Sequence, residues 1–132
     1  MTLAKAFAGV LIAFFAIDIV WISRVVRAMY DQQVGGLLRA NPQVGAAAVF
    51  YLMYAAGIVY FAVLPALQSG GARVALLNGA IFGGLAYGTY AFTNYAVLKG
   101  WTFKLVVADV AWGIVLTAVT AACGLLAARL GS

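Results

Sequence analysis

The chain has 132 residues, of which 67% are hydrophobic and 8% are charged, with a formal net charge of +5. Eight Lys and Arg and three Asp are too few to cover a water-soluble domain of this size, so the composition points to one polytopic membrane domain. The cations are scattered beside apolar runs, which argues against a nucleic-acid partner, and the absence of His and Glu removes bis-histidine haem, zinc-hydrolase and di-iron chemistry, so no metal and no cofactor is expected.

Four transmembrane helices are expected, at roughly 6–23, 45–67, 74–98 and 105–128, with one longer loop at 24–44. Each run can cross a hydrocarbon core of about 30 Å, and none has the period-two polarity of a barrel strand. The fold class is therefore an all-α membrane protein, an antiparallel four-helix bundle with short loops. The first run carries Asp18 and Trp21 and lacks a small-residue cleavage site before them, so it reads as a span rather than a signal peptide.

The segment 24–44 reads as a solvated connector, a continuation of span 1 or a short interfacial helix. In "ANPQV", Asn41 can cap span 2 and Pro42 can take its first helical position. Pro65 should kink or fray the end of span 2, because it cannot donate to the carbonyl of Phe61. "QSGG", residues 68–71, is a short turn. "LKGW", residues 98–101, places a helix stop at Gly100 and Trp101 at the interface, so spans 3 and 4 form a tight hairpin.

With four spans, both termini lie on one side, face A, with Lys5, Arg73 and Arg129. Face B carries Arg24, Arg27, Arg39, Lys99 and Lys104, and this excess leans toward face B being cytoplasmic. Asp18 lies six residues before Arg24, about 9 Å below face B on a helix. Asp109 is five residues after Lys104 and Asn94 five before Lys99, each about 7.5 Å deep. Tyr51 and Tyr54 open span 2 on the same side.

Helical angles put Gly83, Tyr87, Tyr90 and Asn94 on one side of span 3, and Asp109, Gly113, Thr117 and Thr120 on one side of span 4. If these sides meet, a polar pocket or network forms in the face-B half. Buried Asp and Asn also serve purely as interhelical hydrogen-bonding groups, and both readings stay open. Trp21 and Trp112, in matching D-x-x-W stretches, fit interfacial anchors or packing groups better than ligand-stacking rings. Gly79/Gly83 and Gly84/Gly88 allow two contact faces on span 3, one within the bundle and one for a homodimer partner; packing within one chain is the favoured reading. Cys123 reads as inert core.

"DIVW" at 18–21, "FYLMYA" at 50–55, "YGTYAFTNYAVLKGW" at 87–101 and "DVAWG" at 109–113 resemble, in this order, the bacterial membrane family of domain of unknown function 2177. The resemblance implies a small four-span protein of the bacterial cytoplasmic (inner) membrane and supplies no activity. It also implies an acid in many members after the Y-G-T-Y stretch, where this chain has Ala91, which weakens any three-carboxylate mechanism.

Three functions fit these residues. The first is a polar pocket of Asp18, Trp21, Tyr51, Tyr54, Tyr87, Tyr90, Asn94, Asp109 and Trp112 that binds a membrane lipid headgroup or small amphiphilic ligand, or docks a partner. The second is a dimeric proton-coupled transporter using Asp18. The third is a lipid-modifying enzyme with Asp18 or Asp109 as base, against which the lack of His, Glu and a cofactor motif counts.

Overall fold

A computed structural model describes residues 2–21, 23–24 and 44–130. Four helical stretches in it are long and apolar enough to cross a membrane: Thr2–Trp21, Gly45–Gln68, Gly71–Val97 and Phe103–Ala128, here spans 1 to 4. The all-α, four-span architecture expected from the composition is thus found. The Asn41–Pro42 cap, Arg27, Arg39 and nearly all of the 24–44 connector lie outside the described residues.

Spans 1, 3 and 4 begin two to four residues before the expected apolar windows, because the backbone ladder continues through polar side chains that hydropathy rejects. Span 1 begins at Thr2, and its Lys5 ammonium donates to the carbonyl of Leu130, just past the end of span 4. A cation beside the carbonyl end of a helix is favourably placed. Both ends of the chain are thereby joined on face A.

The turn between spans 2 and 3 uses left-handed backbone at Gly70 (φ 89°) and Gly71 (φ 56°), where a Cβ would be strained. At the other hairpin the helix stops before the expected glycine. Val97 is the last helical residue, Leu98 is extended, and Gly100 (φ 86°) turns the chain. Thr102 then caps span 4, accepting from the Leu105 N–H at 3.3 Å. Trp101 folds back, 8% exposed, against Ala91, Leu105 and Val106.

Span 2 is irregular in its second half. It is α-helical over Val44–Ile58, π-helical over Val59–Val63, and α-helical again over Leu64–Gln68. The Leu64 N–H reaches back five residues to the Val59 carbonyl. Pro65 explains the widening: it has no N–H for Phe61, and its ring would strike that carbonyl in a regular α-helix. The carbonyl is not left bare in the membrane. Asn78 of span 3 donates Nδ2–H to Phe61 O at 3.1 Å.

Span 4 is the centre of the bundle. It has eleven buried positions, against four each in spans 1 and 3. It packs along the whole of span 3 and most of span 1, while spans 1 and 3 occupy opposite corners and scarcely touch. Span 2 closes the ring between them. The chain therefore runs up and down around the bundle with every neighbouring pair of corners antiparallel.

Close approach is what the glycines provide here. A Cβ at Gly83 would lie 2.1 Å from the Gly113 carbonyl and 2.6 Å from Thr117 Oγ1, and one at Gly79 would lie 2.8 Å from the Thr117 carbonyl. The Gly79/Gly83 face of span 3 thus meets the Gly113/Thr117 face of span 4, the meeting on which the expected network depends. Gly84 faces Ile114 less tightly, and a Cβ at Gly88 would meet only Phe92 of its own helix at 4.0 Å. Cys123 is half-buried and forms no disulfide.

Candidate functional site

The buried side of span 1 is Ala6, Val10, Phe14 and Asp18, one residue every four. This spacing keeps a single narrow face turned inward. Asp18 is the last member, so the same packing that buries Phe14 carries a carboxylate into the bundle beneath face B. It is 5% exposed.

Both carboxylate oxygens are occupied. Oδ2 accepts from the Tyr51 hydroxyl of span 2 at 2.9 Å, and Oδ1 accepts from the Trp112 indole N–H of span 4 at 3.1 Å. Three helices are tied at one atom group. These two donors offset part of the cost of burying the group. The Trp112 ring is held from the other side as well. Trp21, one turn beyond Asp18, stacks on it with centroids 4.2 Å apart and planes 5° from parallel. The matching D-x-x-W stretches of spans 1 and 4 therefore meet, but the acid of the first takes the tryptophan of the second.

Below this layer lies an aromatic one. Phe14 meets Tyr51 and Tyr54 edge-on at 5.1 and 5.4 Å. Tyr54 stacks on Phe82 of span 3 at 5.2 Å and shares a 2.7 Å hydrogen bond with the hydroxyl of Thr117 in span 4. Tyr87 approaches Tyr54 edge-on at 6.0 Å, and a Cβ at Gly113 would lie 2.4 Å from its ring.

The remaining candidates lie on spans 3 and 4. Asp109 is buried, 5% exposed, one turn from Trp112 on span 4. Tyr90 turns toward Trp101, 5.8 Å away and edge-on. Asn94 is half-buried and makes no side-chain hydrogen bond to the Asp18 group; its carbonyl accepts from Leu98 N–H at 2.9 Å. The structure thus brings Asp18, Trp21, Tyr51, Tyr54, Tyr87 and Trp112 into one continuous cluster and leaves Tyr90 and Asn94 near the hairpin with Trp101. Among the described residues no group of three or more His, Cys, Asp or Glu comes together. Asn78 was not singled out in the sequence; a lone carboxamide within an apolar run, together with the carbonyl orphaned by Pro65, was the available signal.

A groove of about 490 Å³ runs outside this cluster between spans 1 and 4, lined by Ala16, Ile17, Val20, Trp21, Arg24 and Trp112. It is apolar along its length, with the exposed Arg24 at its face-B end.

These features define a small four-span integral membrane protein in which the buried Asp18 carboxylate is satisfied by side chains of its own helices. The chain belongs to the family of predicted membrane proteins DUF2177, domain of unknown function 2177, which matches residues 3–126. No curated protein and no solved structure matches it.

Proposed function

We propose that the protein binds an anionic membrane lipid in the groove beside the Trp21–Trp112 stack. The observation that carries this reading is the groove itself: an apolar wall of Ile17, Val20 and two stacked indoles, ending in one cation, Arg24. That sequence of surfaces matches an acyl chain leading to an acidic headgroup. Because the Trp112 N–H is spent on Asp18, the indole presents its ring to the lipid and cannot turn away. Asp18 and Tyr51 act in this reading as positioning residues. A transporter or enzyme that used Asp18 would need its oxygens within reach of a substrate, and both accept protein donors.

The test is indole quenching by lipids brominated on their acyl chains, in bilayers of fixed total composition. One cation near an anionic surface contributes about 1 kcal/mol, so phosphatidylglycerol should be preferred over phosphatidylcholine by about fivefold. Arg24→Gln should bring the two lipids level. Equal quenching by both lipids in the native chain defeats the proposal.

A further inference from the structure

A second groove, of about 550 Å³, lies between spans 2 and 3 on another side of the bundle. Asn78, Ile81, Phe82, Leu85 and Thr89 line it in helical register, and Phe61 of span 2 forms its other wall. Phe61 and Phe82 stack across it at 5.3 Å.

The polar group at its head is Asn78. One amide hydrogen goes to the Phe61 carbonyl that Pro65 cannot serve. A carboxamide has a second N–H and two acceptor positions. Thr89, at the other end, is satisfied within its own helix by the Leu85 carbonyl at 2.7 Å. Asn78 is thus the groove's free hydrogen-bonding capacity.

Depth indicates what that capacity meets. Asn78 lies seven residues into span 3 from Gly71, about 10 Å along the helix from face A. A helix of 27 residues is about 40 Å long against a hydrocarbon core of about 30 Å. Asn78 therefore sits about 5 Å inside the hydrocarbon boundary, just beneath the level of lipid ester groups. From Asn78 to Thr89 the groove runs about 16 Å toward and past the midplane, the length of a long acyl chain.

We infer that this groove holds the acyl chain of a diacyl ester lipid from the face-A leaflet, with the ester carbonyl accepting the second N–H of Asn78. Phe61, Phe82, Ile81 and Leu85 contact the chain. The site is independent of Arg24 and of the leaflet it faces.

The experiment is lipid retention by the detergent-purified full chain, read by native mass spectrometry, with two probes: a dihexadecanoyl phosphatidylcholine and its dihexadecyl ether analogue. The shared zwitterionic headgroup keeps the Arg24 groove out of the comparison. One hydrogen bond to a carbonyl, absent in the ether, should favour the ester lipid by about threefold. Asn78→Leu alone would bare the Phe61 carbonyl, so it is made with Pro65→Ala, which restores a backbone donor; this pair should lose the preference, and Arg24→Gln should keep it. Leu85→Trp, which fills the groove without touching the Asn78–Phe61 bond, should reduce ester-lipid retention. Equal retention of both lipids by the native chain, a preference that survives in the double variant, or unchanged retention in Leu85→Trp overturns the assignment.

Discussion

The Trp112 indole N–H donates to the carboxylate of Asp18 at 3.1 Å, joining residues 94 positions apart on spans 4 and 1. With Tyr51 on the second oxygen, this bond makes a buried acid a junction of three helices. Asp18→Leu would leave the indole N–H and the Tyr51 hydroxyl without their acceptor. A loss of about 1–3 kcal/mol is expected, and Asp18→Asn, which keeps one carbonyl acceptor, should cost less. Thermal unfolding in detergent checks the order Leu worse than Asn; the reverse order contradicts the junction.

The seam between spans 3 and 4 predicts a contrast within one glycine-rich helix. Gly83→Ala forces a methyl into the Gly113 carbonyl and Thr117, and the helices must separate. A cost of about 1–3 kcal/mol is expected, as for other overpacked contacts. Gly88→Ala finds no neighbour beyond Phe92 and should stay within about 0.5 kcal/mol of the native chain. Equal melting temperatures for the two variants would show that the seam is not close-packed.

Tyr54 and Thr117 share a buried 2.7 Å hydrogen bond between spans 2 and 4. In membrane bundles such bonds are worth about 0.6 kcal/mol on average and reach about 1.7. A double-mutant cycle of Tyr54→Phe and Thr117→Val should return a coupling in that range. Strictly additive effects would mean that the rings alone hold this layer.

Pro65 and Asn78 should be coupled through a carbonyl that neither owns. Asn78→Leu in the native background leaves Phe61 O without a donor and should cost about 1–3 kcal/mol. In a Pro65→Ala background the backbone can supply that donor, and the same substitution should cost distinctly less. Stability measured for the four members of the cycle decides it, and an unchanged cost for Asn78→Leu would detach the asparagine from the proline.

Much of this was legible beforehand. The four spans follow from apolar runs long enough to cross a bilayer, and helical angle alone put Gly83 on one side of span 3 and Gly113 and Thr117 on one side of span 4, the sides that meet. The helix stop at Gly100 was misplaced by three residues, because a left-handed glycine can turn a chain after the ladder has already ended. Asn94 looked equivalent to Asp18 by depth, yet depth says nothing of which corner of the bundle a helix occupies.

The amino-acid sequence by itself determined the membrane setting, the number of spans and the burial of the acid on span 1, because hydropathy and helical period are local properties of the chain. Only the tertiary structure decided that Asp18 is answered by Trp112 and Tyr51, and that Asn78 serves the carbonyl Pro65 leaves bare. The physical reason is geometric. A hydrogen bond needs its partners within about 3 Å, and which groups come that close depends on the order of helices around the ring, a long-range choice that no local pattern encodes.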